Sequence, residues 1–178
     1  LLTGRNDRVL KLPYRGAPQT VSVIGEAALS SQRDYNLRLF VEHVVGGLPS
    51  KAYLDEYLAL YYFVLGNTRY MRDPRTVELV RAPYVVAAEL AAGKKPSLDC
   101  DDMSALLAAM ILMCGGQVRV VTVAFRNMFF RGQRQFSHVF VQAREPRSGV
   151  WITLDPVAAG KTKQMLGRVK AFKFWPVA

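Results

Sequence analysis

The stretch Met103–Met113 contains a single polar residue, Ser104. It is bounded by Leu98-Asp99-Cys100-Asp101-Asp102 on one side and by Gly115-Gly116 on the other. Aspartates favour a helix N-terminus and glycines end a helix. A helix that is apolar all round has to be surrounded by protein. The sequence therefore predicts a central, buried helix around which the rest of the chain packs. Cys100 falls at its start, where backbone N–H groups and the helix dipole favour a thiolate and can hold an oxyanion. Asp99, Asp101 and Asp102 oppose that thiolate by repulsion, unless they are capped onto backbone N–H groups or paired with arginines. Cys114, at the apolar end of the same helix, reads as a small buried apolar residue. The two cysteines lie about 21 Å apart along a straight helix and cannot bridge each other.

Upstream, residues 1–29 are interrupted by Pro13, Gly16, Pro18 and Gly25. They read as an extended N-terminal arm with a short edge strand at 20–24, and residues 30–178 as a single domain. Ser30 or Ser31 is expected to cap a helix over 32–45 with an apolar stripe of Leu37, Phe40, Val41, Val44 and Val45. His43 lies off that stripe and reads as solvated. Ser50 is expected to cap a second helix whose Leu54, Tyr57, Leu58, Tyr61, Tyr62 and Leu65 share one face and pack in a core. Residues 68–73 read as extended, Pro74 as opening a helical turn through Val80, and Pro83 as starting a helix that runs to Ala92.

After Gly116 the period changes. The segment 117–125 has Val118 and Val120 on one side and Val121 and Val123 on the other, the pattern of a strand buried on both faces. Arg126–Gln135 is a loop in which Arg126, Arg131 and Arg134 surround Met128, Phe129 and Phe130. It reads equally as a flap over a site or as a plain hairpin loop. Residues 136–143 and 150–155 are two further strands, and 169–175 a last one. If Ala143 faces Val150 across an antiparallel pair, then His138 falls opposite Asp155 and the two side chains share a face. A bulge would remove that argument. A cysteine, a histidine and an aspartate form an acyl-transfer set, with Cys100 as nucleophile, His138 as base and then acid, and Asp155 fixing the imidazole.

Three blocks carry a resemblance. Leu98-Asp99-Cys100-Asp101-Asp102-Met103-Ser104-Ala105-Leu106-Leu107, Ser137-His138-Val139-Phe140-Val141 and Trp151-Ile152-Thr153-Leu154-Asp155-Pro156, with Gly116-Gln117-Val118-Arg119 between them, resemble the transglutaminase-like superfamily. Tyr70-Met71-Arg72-Asp73-Pro74 and Arg81-Ala82-Pro83 look like its bacterial branch. The resemblance implies an α+β, papain-like fold, with N-terminal helices and a cysteine-bearing central helix packed on a small antiparallel sheet. It assigns the same roles to Cys100, His138 and Asp155. The reaction it implies is thiol-dependent hydrolysis of amide or isopeptide bonds in a protein or peptide substrate. An acyl-transferring cross-linker and a non-catalytic assembly module, for example in a phage virion, are the alternatives. Asn67 and Tyr70 are candidates for an oxyanion side chain.

The net charge of +10, from 24 basic and 14 acidic residues, reads first as a solvated basic surface; the alternative is a predisposition toward acidic partners, an acidic protein or particle neighbour, with nucleic acid left open. His43, His138, Cys100 and Cys114 have no zinc-ligand spacing, so neither metal nor cofactor is expected. Two cysteines make no disulfide framework. No apolar run is long enough to span a membrane, and Leu1-Leu2-Thr3-Gly4-Arg5 does not read as a secretory signal. The expected location is cytoplasmic or virion-associated.

Overall fold

A computed structural model describes residues 9–13, 16–73 and 77–177. In chain order these form β1 (Val9–Pro13), α1 (Ala17–Ser31), α2 (Tyr35–Val45), α3 (Tyr53–Asn67), β2 (Arg69–Tyr70), β3 (Val77–Arg81), α4 (Pro83–Ala91), β4 (Ser97–Leu98) and α5 (Cys100–Met113). The remaining elements are β5 (Gln117–Ala124), β6 (Phe129–Phe130), β7 (Gln133–Arg134), β8 (His138–Arg144), β9 (Trp151–Leu154), α6 (Thr162–Leu166) and β10 (Ala171–Pro176). Helices and strands both contribute to the core, so the class is α+β.

Helix α5 is buried from Asp101 through Leu112. Helices α1, α2, α3 and α4 cover it on one side. The other side rests on a four-stranded antiparallel sheet of order β10-β5-β8-β9, through Val118, Val120, Val139, Val141 and Ala143. The opposite face of β5 and β8 gathers Val121, Val123 and Phe140 under Phe125, Met165 and Val169. The two faces of β5 thus divide as its sequence predicts.

Four expectations change. The segment read as an extended arm instead carries α1, a helix with Val21, Ile24, Ala28 and Ser31 buried one turn apart against α5. Pro18 lies in its first turn, where the missing N–H is harmless. Gly25 sits where α1 approaches Val177. Neither residue breaks the helix, and the edge strand expected at 20–24 is absent. Residues 1–8 and 14–15 of that arm lie outside the described residues. Helix α2 starts at Tyr35, with Asp34 accepting the Leu37 N–H at 2.9 Å, so neither Ser30 nor Ser31 caps it. Helix α3 starts at Tyr53 without a side-chain cap from Ser50. Residues 77–80 form strand rather than a helical turn, because β3 pairs antiparallel with β1; residues 74–76 lie outside the described residues.

The β8–β9 register also differs. Val141 pairs with Leu154 and Arg144 with Trp151, so Ala143 faces Ile152 and not Val150. The turn between the strands is displaced by one residue along the chain, from 144–149 to 145–150. The Glu145 N–H donates to Val150 O at 2.9 Å, and the Glu145 carboxylate accepts the N–H groups of Arg147 and Ser148. Gly149, at φ 71°, closes the turn in a conformation that favours glycine. The slip is by two residues. An even slip keeps every side chain on its own face.

Where α5 gives way to β5, a Cβ on Gly116 would lie 2.6 Å from Tyr57 Oη and 2.7 Å from Ile111 Cγ2. Tyr57 is fully buried, and its hydroxyl has no hydrogen-bond partner among the described residues. Gly116→Ala is therefore expected to destabilise the fold by about 1–3 kcal/mol through overpacking. Tyr57→Phe in the same chain should recover part of that loss. Denaturant unfolding of the two single variants and the double variant measures the coupling.

Candidate active site

Cys100 is the first residue of α5, and Asp99 is its N-cap. One Asp99 carboxylate oxygen accepts the N–H of Asp101 at 2.9 Å and of Asp102 at 3.0 Å, and the Met103 N–H donates to Asp99 O. The Cys100 N–H belongs to the same turn and has no acceptor among the described residues. Asp102 turns away from the thiol and accepts the Arg81 N–H at 2.7 Å, which ties α5 to the end of β3. Ser104 closes the first turn by donating to Cys100 O at 2.6 Å. Two of the three aspartates are thus held by backbone N–H groups.

Asp101 stays with the sulfur, its Oδ1 lying 3.6 Å from Cys100 Sγ. On the sheet side, α5 packs against β8. Burial pushes the Cys100 thiol well above its ordinary value, the charges of Asp101 and then Asp99 add to the rise, and the Val139 N–H opposes it. Dehydration and the two carboxylates thus act against the thiolate that a helix start favours, in the direction the aspartates were expected to push.

Val139 follows His138 in β8. His138 Nε2 lies 2.7 Å from Asp155 Oδ2, with the imidazole nearly buried and the carboxylate wholly so. Asp155 follows β9, and its carboxylate reaches the histidine diagonally across the slipped register. Its Oδ1 accepts the N–H groups of Val157 and Ala158 at 3.0 and 3.1 Å, and its main-chain oxygen accepts from Tyr61 Oη on α3. These bonds fix the carboxylate. Phe125 stacks on the imidazole at 6.4 Å with a 20° interplanar angle, and Phe140 flanks it at 6.0 Å. A proton on Nε2, shared with Asp155, leaves the Nδ1 lone pair as the ring's basic site; the hydrogen bond assigns that tautomer.

Strand β2 pairs parallel with β4, just ahead of Cys100, and the Met71 N–H donates to Leu98 O at 2.9 Å. Tyr70 and Arg72 are thereby brought to the thiol, and the Arg72 Nε–H donates to Tyr70 Oη at 3.4 Å. Burial raises the Tyr70 phenol, the Arg72 hydrogen bond lowers it, and the Cys100 charge raises it. Asn67 is elsewhere, its amide donating to Phe63 O within α3. His43 is exposed in the last turn of α2. Cys114 is the C-cap of α5, its thiol pushed up to about 12 by burial and then by Glu56. Among the described residues, no group of three or more His, Cys, Asp and Glu is arranged to hold a metal. No helix among them is long and apolar enough to cross a membrane. Tyr61, Arg81 and Phe125 are the supporting residues that sequence reasoning missed, because each meets the site only through tertiary packing.

No protein-family model matches the chain, and no curated protein matches it. Among solved structures it is similar to a "putative protease" from Parabacteroides distasonis, with a TM-score of 0.56 and 14% identity. The match covers 80% of this chain and 27% of that one, so the chain spans about a quarter of that protein's length. At this identity the likeness shows a shared fold.

Two outcomes follow from the charges around the helix start. Alkylation of Cys100 by iodoacetamide should rise with pH through a midpoint above the ordinary thiol value of 9.0, and Asp101→Asn should move that midpoint downward. Mass spectrometry of the labelled chain reads both.

Burial raises Asp102 from 3.8 to about 7, with the Arg81 N–H working against the rise. The folded chain keeps that proton to about pH 7, while the unfolded chain loses it near 3.8. Between those values the folded state binds more protons, so stability falls as pH rises. Asp102→Asn can still accept the Arg81 N–H and should flatten that slope, worth a few kcal/mol at about 1.4 kcal/mol per pH unit. Chemical denaturation at a series of pH values measures it.

Proposed function

We propose that this chain is a thiol hydrolase of the transglutaminase-like kind, with a papain-like core, acting on an amide or isopeptide bond of a protein or peptide. The observation that carries the reading is the His138–Asp155 hydrogen bond of 2.7 Å at the start of β8, the strand against which α5 packs with Cys100 at its own start. The fold shared with a "putative protease" is consistent with it.

In this reading the thiol is the resting form, as its raised pKa requires. His138 Nδ1 takes the proton from Cys100 Sγ as the sulfur attacks the substrate carbonyl carbon, while Asp155 stabilises the imidazolium that forms. The carbonyl oxygen gains negative charge at the start of α5, where the Cys100 N–H can donate to it. The tetrahedral intermediate collapses, the C–N bond breaks, and the amine leaves with the proton from Nδ1. Water then gives a proton to Nδ1 and its oxygen to the acyl carbon. The C–S bond breaks, the acid departs and the thiol is restored. An amine in place of that water would give cross-linking by the same residues. The raised thiol also favours one other reading, a non-catalytic assembly module in which Cys100 never ionises.

Hydrolysis of a fluorogenic peptide library decides among these. Cys100→Ala should abolish turnover, and Asp155→Asn should lower kcat by roughly 10²–10⁴-fold through loss of the imidazole tautomer. Turnover that survives in Cys100→Ala would overturn the proposal, and a dominant amine adduct when water and amine compete would make the chain a transferase.

A further inference from the structure

We propose that the peptide broken at Cys100 is acidic on both sides of the scissile bond, with Arg72 taking carboxylates on one side of the thiol and the arginines of the 126–135 hairpin taking them on the other. The proposal rests on the hydrolase reading above and adds the substrate class to it.

The first observation is placement. Arg72 follows Met71, whose N–H is bonded to Leu98 O two residues before the nucleophile. The 126–135 hairpin leaves β5 after Ala124 and returns into β8 at His138, with the Ser137 N–H bonded to Val123 O at 2.9 Å. Its base is Phe125, the ring stacked on the imidazole. Arg72 therefore lies near the sulfur, and the hairpin that bears the other three arginines springs from the strand ends that hold the base.

The second observation is the state of the arginines. The hairpin has Arg126, Arg131 and Arg134 and no acidic residue. None of these three, nor Arg72, has a carboxylate partner among the salt bridges of the described residues. Arg131 lies over Phe130 at 5.4 Å and Arg134 over Phe129 at 4.7 Å, with Arg134 also donating to Asn127 at 2.8 Å. Stacking holds a guanidinium by its face and leaves its edge N–H groups available for a bidentate carboxylate.

The third is the apolar surface between the charges. Met128, Phe129 and Phe130 are more than half exposed at the hairpin tip. Arg131, at φ 49°, and Gly132, at φ 76°, hold the tight turn that presents them. Exposed aromatics beside arginines would also suit a single nucleic-acid strand. The peptide is favoured because Arg72 and the hairpin border the chain segments that bear the thiol and the imidazole, whose chemistry needs an acyl carbon.

The test uses the full-length chain with Cys100→Ala and fluorescein-labelled peptides that share an apolar centre and differ only in acidic, neutral or basic flanks. Fluorescence anisotropy at low salt should find the acidic peptide bound at least about tenfold tighter than the neutral one, the preference shrinking as salt screens it over about 8–10 Å. Arg72→Gln and the triple variant R126Q/R131Q/R134Q should each reduce the preference several-fold. In the chain with its cysteine, the same substitutions should raise KM for the acidic peptide more than they change kcat. Equal affinities for the three peptides, or a preference that neither variant reduces, would overturn the inference. So would an oligonucleotide that binds tighter than the acidic peptide and is lost in the same variants. Acidic-peptide selectivity without any cleavage would uphold the recognition and sink the hydrolase reading, while cleavage without charge preference would do the reverse.

Discussion

Helix α5 has almost no solvent face, and that single constraint arranges the rest of the chain. Its body from Met103 to Leu112 is apolar except for Ser104, and every position in it is buried. Each fully buried Leu, Ile or Met contributes about 1.5–3 kcal/mol, so the remaining elements gain most by closing round this helix. Four helices and one face of the sheet do so. The second face of the sheet then needs its own cover, supplied by Phe125, Met165 and Val169. The imidazole of His138 lies where that cover meets the strand end, against Phe125 and Phe140.

Burying the helix also brings its polar start into a dry environment. Three aspartates near one thiol would repel one another and the sulfur if left unpaired. Asp99 is absorbed by the N-cap of α5, and Asp102 accepts the Arg81 N–H, which ties α5 to the end of β3. The residual effect falls on the cysteine, whose thiol is held in its protonated form by burial and by Asp101 and Asp99. In the proposed hydrolase reading such a site needs a base poised before attack, and a histidine fixed by a buried carboxylate is suited to that task.

Some of this was legible from the residues. The apolar run with its aspartate start and Gly-Gly end marks α5, the division of Val118 and Val120 from Val121 and Val123 marks a strand between two layers, and the blocks around His138 and Asp155 mark the strands that bring them together. Other parts were misread for identifiable reasons. Pro18 and Gly25 suggested a broken arm over 1–29, yet one occupies a first turn of α1 and the other a close contact with Val177. Val77–Arg81 has no partner nearby in sequence and becomes a strand only because β1 lies beside it. The direct His138–Asp155 pairing assumed a turn one residue earlier than the one that Glu145 and Gly149 make, and the pair survived because a two-residue slip preserves the face.

The sequence by itself determined the properties that depend on neighbours along the chain: where α5 begins and ends, which sides of β5 are apolar, and that a cysteine, a histidine and an aspartate lie at element boundaries. These follow from periodicity and capping, which act over a few residues. Tertiary structure alone decided which aspartate stays with the sulfur, which way the thiol's acidity moves, and that Tyr61 and Phe125 hold the Asp155–His138 pair in place. Those outcomes depend on dehydration and on hydrogen bonds between residues far apart in sequence. Cys100 is half-buried where α5 packs into the fold, and no short stretch of the chain encodes that packing.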